Sequence, residues 1–329
     1  MITTLEPTDR ATTSTPVRCE CPSHLDGLTT TVPRQLVHRA AVAEVFLTGW
    51  CRLSEDRFHV RAQWPRGHSF FTPIAGSHYD PMLVAETVRQ VGALLAHAAF
   101  DVPQGYQFLM WGLDYTAVAD GLVIGGAPAS LDLEVTCPDV RRRGKHLTGL
   151  RYEVVVRQSG RVIATGGAGY TCTSPAVYRR LRAEQLAQQP VPALPAAPVA
   201  PPLVGRLSPF DVVLSPTGRP DAWQLRYDTR HPVLFDHPGD HLPGMVLLEA
   251  ARQAAVALSP ERGVLPVAVD SSYHRYAEFG SPVLLGAERL GQKRDGSRLV
   301  RVTGTQDGET VFTAVVTTAR PAVPLALWS

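Results

Sequence analysis

The sequence contains an internal repeat that strongly limits the fold it can adopt. Aligned without gaps at an offset of 163, residues 68–95 match residues 231–258 at eight of 28 positions. Unrelated segments of this length would share about two identities by chance. The matches fall on His, Gly, Glu, Arg and Gln as well as on apolar residues. The chain therefore contains a duplicated unit, and its 329 residues suffice for two domains of common size.

A proline-rich segment separates the two copies. Residues 190–202 read PVPALPAAPVAPP. Proline fixes φ and lacks an amide hydrogen, so this composition favours an extended linker over helix or sheet. We predict a disordered lead over residues 1–30, a first repeat over 31–175, a linker over 176–202 and a second repeat over 203–320.

The order of elements is the same in both copies. Two β-rich segments, such as AVAEVFLTGWCRL and RFHVRAQW, precede an apolar helix, and four more β-rich segments follow it. Asp80 and Pro81 are a plausible N-cap and first-turn proline for one helix, and Pro243 introduces the other. A long apolar helix among antiparallel strands predicts an α+β fold in which a curved sheet wraps a central helix. We therefore predict a double hotdog, in which two hotdog repeats pair through their sheets within one chain.

Both apolar helices carry charged and amide side chains at helical spacing. Because residues three and four apart share a helical face, each trio projects from one side: Glu86, Arg89 and Gln90, and Glu249, Arg252 and Gln253. Burying an unpaired charge costs several kcal/mol, so these groups need partners. They form either a structural network between the halves or a site for acyl chemistry. In the second case, helix N-terminal amides would stabilise a carbonyl oxygen and a Glu would act as base.

The second helix and the turn before it resemble a known catalytic segment. The stretch HPGDHLPGMVLLEAARQA is similar to the segment of β-hydroxyacyl-ACP dehydratases that carries a catalytic His and Glu, here His237 and Glu249. In such dehydratases the cooperating His and Glu come from opposite units, which implies a pair of His237 with Glu86. The first copy has Ile74 in place of the His. We therefore expect the two sites to differ.

A wider resemblance covers nearly all of the chain after residue 30. The segments LVHRAAVAEVFLTGW, HYDPMLVAETVRQVG, FDHPGDHLPGMVLLEAARQAA and YAEFGSPV are similar to the A-factor biosynthesis family of actinomycetes. Members make γ-butyrolactone, butenolide or furan signalling molecules that control antibiotic production. The resemblance implies an acyltransferase that moves a β-ketoacyl group from acyl carrier protein to the hydroxyl of dihydroxyacetone phosphate. The resulting ester can cyclise to a butenolide phosphate.

The resemblance also implies the catalytic residues, which are Glu86, Gln90, Glu249 and Arg252. We assign Glu86 as the base, Gln90 as the donor that orients the substrate hydroxyl, and Arg252 as the anion contact. Glu249 is assigned as the partner of Arg252, although the roles of the two Glu residues are exchangeable. No cofactor is expected, because phosphopantetheine arrives on the acyl carrier protein.

Histidines near the helix starts are candidate substrate-binding residues. They are His78, His237 and His241, each of which could instead satisfy loop carbonyls. His38, before the first strand, is more readily a capping or packing histidine than a ligand contact. No metal site is predicted, since the spacing of His231, His237 and His241 matches no known zinc pattern.

The basic run RRRGK is a candidate docking element. Arg141, Arg143 and Lys145 in this predicted loop would attract the acidic acyl carrier protein. A solvated loop without a partner is equally compatible with the pattern.

Composition bounds the remaining possibilities. A net charge of +2 gives no reason to expect nucleic acid, and no apolar stretch is long enough to span a membrane. The first residues lack the apolar core of a signal peptide, so we expect a cytoplasmic protein. Scattered cysteines predict free thiols: Cys19, Cys21, Cys51, Cys137 and Cys172.

Two alternatives to the acyltransferase stay open at this point. One is a hotdog dehydratase or thioesterase acting on an acyl thioester, which His237 and Glu249 favour. The other is a non-catalytic regulator that holds a signalling molecule in a buried tunnel. The sequence does not distinguish oligomeric states.

Overall fold

The computed structural model describes residues 29–188 and 196–321. The predicted lead lies outside these ranges except for its last two residues, as do Cys19, Cys21 and part of the predicted linker. In the described part, no helix combines the length and the apolar composition needed to cross a membrane.

Residues 29–188 contain six strands and one long helix. Helix α1 (Met82–Leu94) lies between the second and third strands and continues into a π-helical turn at Leu95–Ala99. The strands are β1 (Leu47–Arg52), β2 (Arg57–Trp64), β3 (Gln107–Ala117), β4 (Ala129–Arg143), β5 (His146–Gln158) and β6 (Arg161–Thr173).

The second half repeats this order after two short helices, α2 (Pro175–Leu181) and α3 (Ala183–Gln188). Its long helix, α4 (Gly244–Ala257), again follows two strands and precedes four. The strands are β7 (Leu214–Pro216), β8 (Ala222–Leu225), β9 (Leu265–Tyr273), β10 (Val283–Gln292), β11 (Arg298–Gln306) and β12 (Glu309–Ala319).

All twelve strands form one antiparallel sheet, in the order β1-β2-β4-β5-β6-β3-β9-β12-β11-β10-β8-β7. The two halves join where residues 112–116 of β3 pair with residues 268–272 of β9. Gly112 is required at this junction, because a Cβ there would lie 2.8 Å from the carbonyl oxygen of Ser271. One continuous sheet with a long helix packed in each half confirms the predicted α+β double hotdog.

Helix α1 is fixed to the sheet by two tyrosines. The hydroxyl of Tyr152 donates to the carbonyl of Val88 at 2.8 Å, and that of Tyr170 donates to Gly92 at 2.7 Å. Glycine inside a helix is unfavourable by about 1 kcal/mol relative to alanine. Here it is needed, because a Cβ on Gly92 would lie 2.4 Å from the Tyr152 oxygen.

Two segments differ locally from the sequence prediction. The run RRRGK is not a loop: Arg141–Arg143 end strand β4, and Gly144, with φ of 61°, forms the hairpin turn. The first predicted strand begins instead with a 3-10 turn at Val42–Glu44, and pairing starts only at Leu47. The predicted first strand therefore began too early, and the predicted strand before RRRGK ended too early.

The cysteines follow the prediction only in part. Cys137 and Cys172 are buried free thiols, as predicted. Cys51 is disulfide-bonded, so the prediction of a free thiol there was wrong.

We expect Gly92→Ala to destabilise the protein by about 1–3 kcal/mol, because the new methyl group overpacks the contact with Tyr152. Gly125→Ala is the matched control, since a Cβ at Gly125 meets no atom within 4 Å. Urea unfolding of both variants measures the difference. Equal stability of the two variants would contradict the close helix–strand approach.

Candidate active site

A buried glutamate in α1 organises a cluster of cationic and amide groups. The carboxylate of Glu86 accepts hydrogen bonds from Arg89 at 2.7 and 2.9 Å and from Gln90 at 2.7 Å. Arg39, from the segment before β1, adds contacts of 2.6 and 3.0 Å. Although burial opposes ionisation, the two guanidinium groups lower the pKa of Glu86 to about 2. Glu86 is therefore a buried, permanently charged anchor at neutral pH.

Helix α4 contains the same cluster. Glu249 accepts from Arg252 at 2.8 Å through two nitrogens, from Gln253 at 2.6 Å and from Arg206 at 2.6 and 2.8 Å. Here too burial is outweighed by the two arginines, which lower the pKa of Glu249 to about 2. The repeated Glu, Arg and Gln thus have repeated partners.

The glutamines fasten the segment before the first strand of each half. Gln90 accepts from the amide of Phe46 at 3.0 Å and donates to the carbonyl of Glu44 at 2.7 Å. Gln253 contacts Val213 and Asp211 in the same way, at 3.0 and 2.8 Å. A primary amide can satisfy one donor and one acceptor of an extended backbone, which explains why Gln recurs here.

The arginines from the preceding segments also tie the halves together. Nη1 of Arg39 donates to the carbonyl of Val233 in the second half at 3.1 Å. Nη1 of Arg206 donates to the carbonyl of Phe70 in the first half at 2.7 Å. Each half thus donates one arginine contact to the other, and together these contacts form the structural network that was one of the two alternatives expected from the sequence.

Two repeated histidines have structural roles. Nδ1 of His231 accepts from the amides of Val233 and Leu234, and its Nε2 lies 3.2 Å from Asp211. His68 makes the same contacts with two amides and with Glu44. Both nitrogens of each ring are therefore occupied.

Within residues 29–188 and 196–321, no group of three or more side chains is arranged to hold a metal ion.

The two clusters differ in charge. Nη1 of Arg206 lies 3.0 Å from Oδ2 of Asp80, so the second cluster balances two arginines with two carboxylates. Pro243 occupies the position that corresponds to Asp80. In the first cluster Glu86 is the one carboxylate bound by Arg39 and Arg89. One arginine there therefore has no carboxylate bound to it alone, although the buried Asp236, which accepts from the amides of Ala40 and Ala41, helps to raise the pKa of Arg89.

The N-termini of helices α1 and α4 also differ, because Asp80 precedes the first and Pro243 precedes the second. The amide of Met82, at the start of α1, donates to Oδ1 of Asp80 at 3.0 Å. The predicted cap was thus correct in function, although the helix begins two residues after it. Helix α4 begins after Pro243 with no side-chain cap, so its positive end is open to a ligand.

A cavity of about 620 Å³ lies between the halves at the first cluster. It is bounded by the start of α4, by Arg89 of α1 and by the turn before α4. Its polar lining includes cationic and imidazole side chains (Arg34, His38, Arg39, Arg89, His237 and His241) and two carboxylates (Asp236 and Asp240), and its apolar lining includes Ala93, Phe108, Met110, Tyr170, Leu234 and Met245. A concave site with apolar walls and convergent polar groups is typical of small-molecule binding.

The four residues assigned from the family resemblance lie behind this cavity or away from it. Glu86 and Gln90 are fully buried in the cluster beneath it. Glu249 and Arg252 belong to the second cluster and do not line the cavity. The Arg252 side chain is 1% exposed, whereas that of Arg89 is 16% exposed.

The predicted substrate-binding residues separate into two groups. His237 and His241 line the cavity; Nδ1 of His241 lies 2.6 Å from Oδ1 of Asp240. His78 is completely buried, with Nδ1 2.9 Å from the Ser77 hydroxyl, and does not line it. His237 and Glu86 share no hydrogen bond or ion pair in the described structure, because Arg39 and Arg89 occupy the carboxylate.

The basic residues of the β4–β5 hairpin lie outside the cavity lining. Arg143 and Lys145 are exposed. Arg141 pairs with Asp139 at 2.7 Å and stacks on the ring of Trp111.

Two residues of the site, Arg39 and Arg206, were missed in the sequence, whereas His38 was considered there. Arg39 and Arg206 occupy corresponding places but lie outside the ungapped repeat, since the connections that follow them differ in length. A gapped comparison of LVHRAAVAEVF with LVGRLSPFDVV would have aligned both arginines.

Comparison with known proteins shows extensive similarity. A family described as the A-factor biosynthesis hotdog domain matches residues 21–174 and 187–320. A Streptomyces virginiae protein named 2-oxo-3-(phosphooxy)propyl 3-oxoalkanoate synthase is 57% identical over 88% of this chain and 98% of that protein. A Streptomyces griseus protein of the same name is 43% identical over 87% and 95% of the respective chains. An acyl-ACP thioesterase structure from Bacteroides thetaiotaomicron aligns with a TM-score of 0.48 and 11% identity, over 79% of this chain and 98% of that one.

We expect Arg206→Met to lower the free energy of unfolding by about 3–5 kcal/mol, because it leaves the buried Asp80 without its arginine and Glu249 with Arg252 alone. Adding Asp80→Asn should recover part of the loss. Arg301→Met is the control: its exposed pair with Glu288 should contribute less than about 1 kcal/mol. Denaturant unfolding measures all three variants, and similar values for Arg206→Met and Arg301→Met would refute the role of the cluster.

Proposed function

Since this chain belongs to the A-factor biosynthesis hotdog family, we propose that it transfers a β-ketoacyl group from a thioester to the hydroxyl of dihydroxyacetone phosphate. The product would be a 2-oxo-3-(phosphooxy)propyl 3-oxoalkanoate, the compound in the names of its relatives. This ester can cyclise to a butenolide phosphate, a precursor of a γ-butyrolactone, butenolide or furan signalling molecule.

The observation that carries the proposal is the guanidinium of Arg89, which borders the cavity with one nitrogen free. Arg89 uses Nε and Nη2 for Glu86 and for the carbonyl of Val37. Its Nη1 has no partner among the described residues, and the side chain lines the cavity. A guanidinium so held is suited to a phosphate, because little side-chain entropy remains to be lost on binding. Arg34, on the same wall, adds a second cation.

The acyl thioester fits the remaining walls of the cavity. Gly244 and Met245 begin the uncapped helix α4 and face the cavity, so their amides and the helix dipole can stabilise a carbonyl oxygen as it becomes negative. The apolar lining provides a surface for the acyl chain. The alternative helix start, at Met82, is already occupied by Asp80.

We propose acyl carrier protein as the donor of the acyl group, which places the reaction in the cytoplasm and requires no bound cofactor. The exposed cations Arg143 and Lys145 would favour an acidic partner.

The structure supports a different division of roles from the one implied by family resemblance. We propose that Arg89 contacts the phosphate in place of Arg252, because Arg252 lies in the neutral cluster. Glu86 and Gln90 would position Arg89 and Arg39 and the segment before β1. Glu249 and Arg252 would maintain the paired fold.

Incubation with a β-ketoacyl-ACP and dihydroxyacetone phosphate should yield the phosphorylated ester, detected by mass spectrometry. Omitting the triose phosphate should abolish thioester consumption. Release of free β-keto acid without the triose would instead indicate a thioesterase, and the absence of turnover would indicate a binding protein.

We expect Arg89→Gln to raise the KM for dihydroxyacetone phosphate about 10- to 100-fold, because a charge-assisted contact worth roughly 1.5–3 kcal/mol is lost. The KM for the thioester should change far less. Arg252→Gln is the matched control, since it also loses an ion pair to a buried Glu three residues earlier but does not line the cavity. Equal effects of the two variants on the triose KM, at equal melting temperature, would contradict the assignment.

A further inference from the structure

Two histidines beside the cavity, His38 and His97, have no role in the function proposed above. Nε2 of His38 lies 2.7 Å from Nε2 of His97, and Nδ1 of His97 lies 2.6 Å from the carbonyl oxygen of Val102. His38 lines the cavity, whereas His97 is buried behind it. A chain of hydrogen bonds therefore runs from the backbone of Val102 to the cavity.

The hydrogen-bonding capacity of these groups determines where the hydrogens lie. A carbonyl oxygen only accepts, so Nδ1 of His97 carries a hydrogen. Two ring nitrogens at 2.7 Å need a hydrogen between them, since otherwise two lone pairs would face each other. With both rings neutral, this hydrogen belongs to Nε2 of His38. Nδ1 of His38 then carries a lone pair, to which no described residue donates a hydrogen bond.

The surroundings keep His38 neutral and fix its ring. Burial, together with repulsion from Arg89, His97 and His237, lowers the pKa of His38 to about 3. The ring of Phe108 stacks on it at a centroid distance of 4.8 Å and an angle of 11°. A neutral, oriented imidazole with a free lone pair is the form required of a general base, and so low a pKa makes it a weak base in the empty site.

Both histidines occupy backbone conformations that are uncommon for such residues. His38 has φ of 53° and ψ of 51°, in the left-handed region, and His97 lies in the π-helical turn Leu95–Ala99. Such conformations carry an energetic cost and are frequent at functional sites. In the second half, the residue before the corresponding arginine is Gly205, with φ of 67°, and Pro260 corresponds to His97. At the position of Gly205 the first half has His38, which lines the cavity.

Glu86 is poorly suited to the role of base that the family resemblance suggested. Its carboxylate accepts five contacts from Arg39, Arg89 and Gln90 and is fully buried. The lone pairs that would take a proton are therefore already engaged.

We propose that His38, oriented by His97, is the general base that removes the proton from the hydroxyl of the phosphorylated triose. This inference rests on the function proposed above. The hydroxyl oxygen bonds to the thioester carbonyl carbon while its proton moves to Nδ1 of His38. The carbonyl oxygen becomes an oxyanion near the amides of Gly244 and Met245. As the C–O double bond re-forms, the C–S bond breaks and His38 returns the proton to the departing sulfur, which leaves as a thiol.

Phosphate binding would also strengthen this base. A dianion at Arg89 offsets the repulsion that opposes protonation of His38, so the pKa of His38 should rise when the site is filled. The substrate that brings the hydroxyl would thereby activate the group that deprotonates it.

The test compares His38→Asn, His97→Gln and the double variant with the wild-type protein. Asparagine tolerates the left-handed backbone of His38 but provides no base. We expect kcat for ester formation to fall about 10²- to 10⁴-fold in His38→Asn with an unchanged melting temperature. His97→Gln should cause a smaller loss and alter the pH profile of kcat. The double variant should be no slower than His38→Asn, because the two residues act as a unit.

His59→Asn is the control and should retain wild-type kinetics. His59 lies on β2, pairs with Asp132 of β4 and does not line the cavity. Nitrogen-15 NMR of the imidazoles gives a readout independent of activity. The proposal predicts hydrogen on Nε2 of His38 and an upward pKa shift on addition of inorganic phosphate. A wild-type rate in His38→Asn, or hydrogen on Nδ1 of His38, would overturn the base assignment while leaving the acyltransferase function intact. If the wild-type protein makes no ester, the proposed function fails and the base role with it.

Discussion

The requirement to pair a buried glutamate in each central helix shapes much of this structure. A carboxylate enclosed by a hydrophobic helix and a sheet is tolerated only if cations and donors surround it. Glu86 recruits one arginine and one glutamine from its own helix and a second arginine from the segment before β1. That second arginine, Arg39, also reaches the backbone of the other half. Charge pairing within each helix and association between the halves are therefore the same set of contacts.

Duplication of this cluster has allowed the two copies to diverge. In the second copy, Asp80 neutralises Arg206 and caps helix α1, and this closes the site electrostatically. In the first copy, Pro243 stands at the corresponding place, so a positive charge and an uncapped helix start both face the cavity. His38 stands where the second half has Gly205, so the first half adds a ring nitrogen to the cavity lining. Differences at two positions, Asp80 against Pro243 and His38 against Gly205, thus distinguish the two sites, in line with the expectation from sequence that they would differ.

Much of the fold could be predicted because it is encoded locally and repeated. The ungapped repeat, the proline-rich break and the alternation of β-rich segments predicted the double hotdog. The assignment of the anion contact could not be made this way, since Arg89 and Arg252 share the same Glu, Arg and Gln pattern and are distinguished by what the other half places beside them. His38 was equally obscure, because its partner His97 is distant in sequence and the π-helical turn that presents it has no sequence signature. Arg39 and Arg206 were missed because the segments after them differ in length.

The central claim is that Arg89 creates the phosphate site, because its cluster has no counterpart of Asp80. The most direct measurement is the Kd for dihydroxyacetone phosphate in Pro243→Asp and Pro243→Asn, determined by calorimetry with the wild-type protein as reference. Both side chains can cap helix α4, but only aspartate adds the carboxylate that Asp80 supplies in the other half. The structure predicts near wild-type affinity for Pro243→Asn and at least about tenfold weaker binding for Pro243→Asp. Equal affinity of the two variants would contradict it.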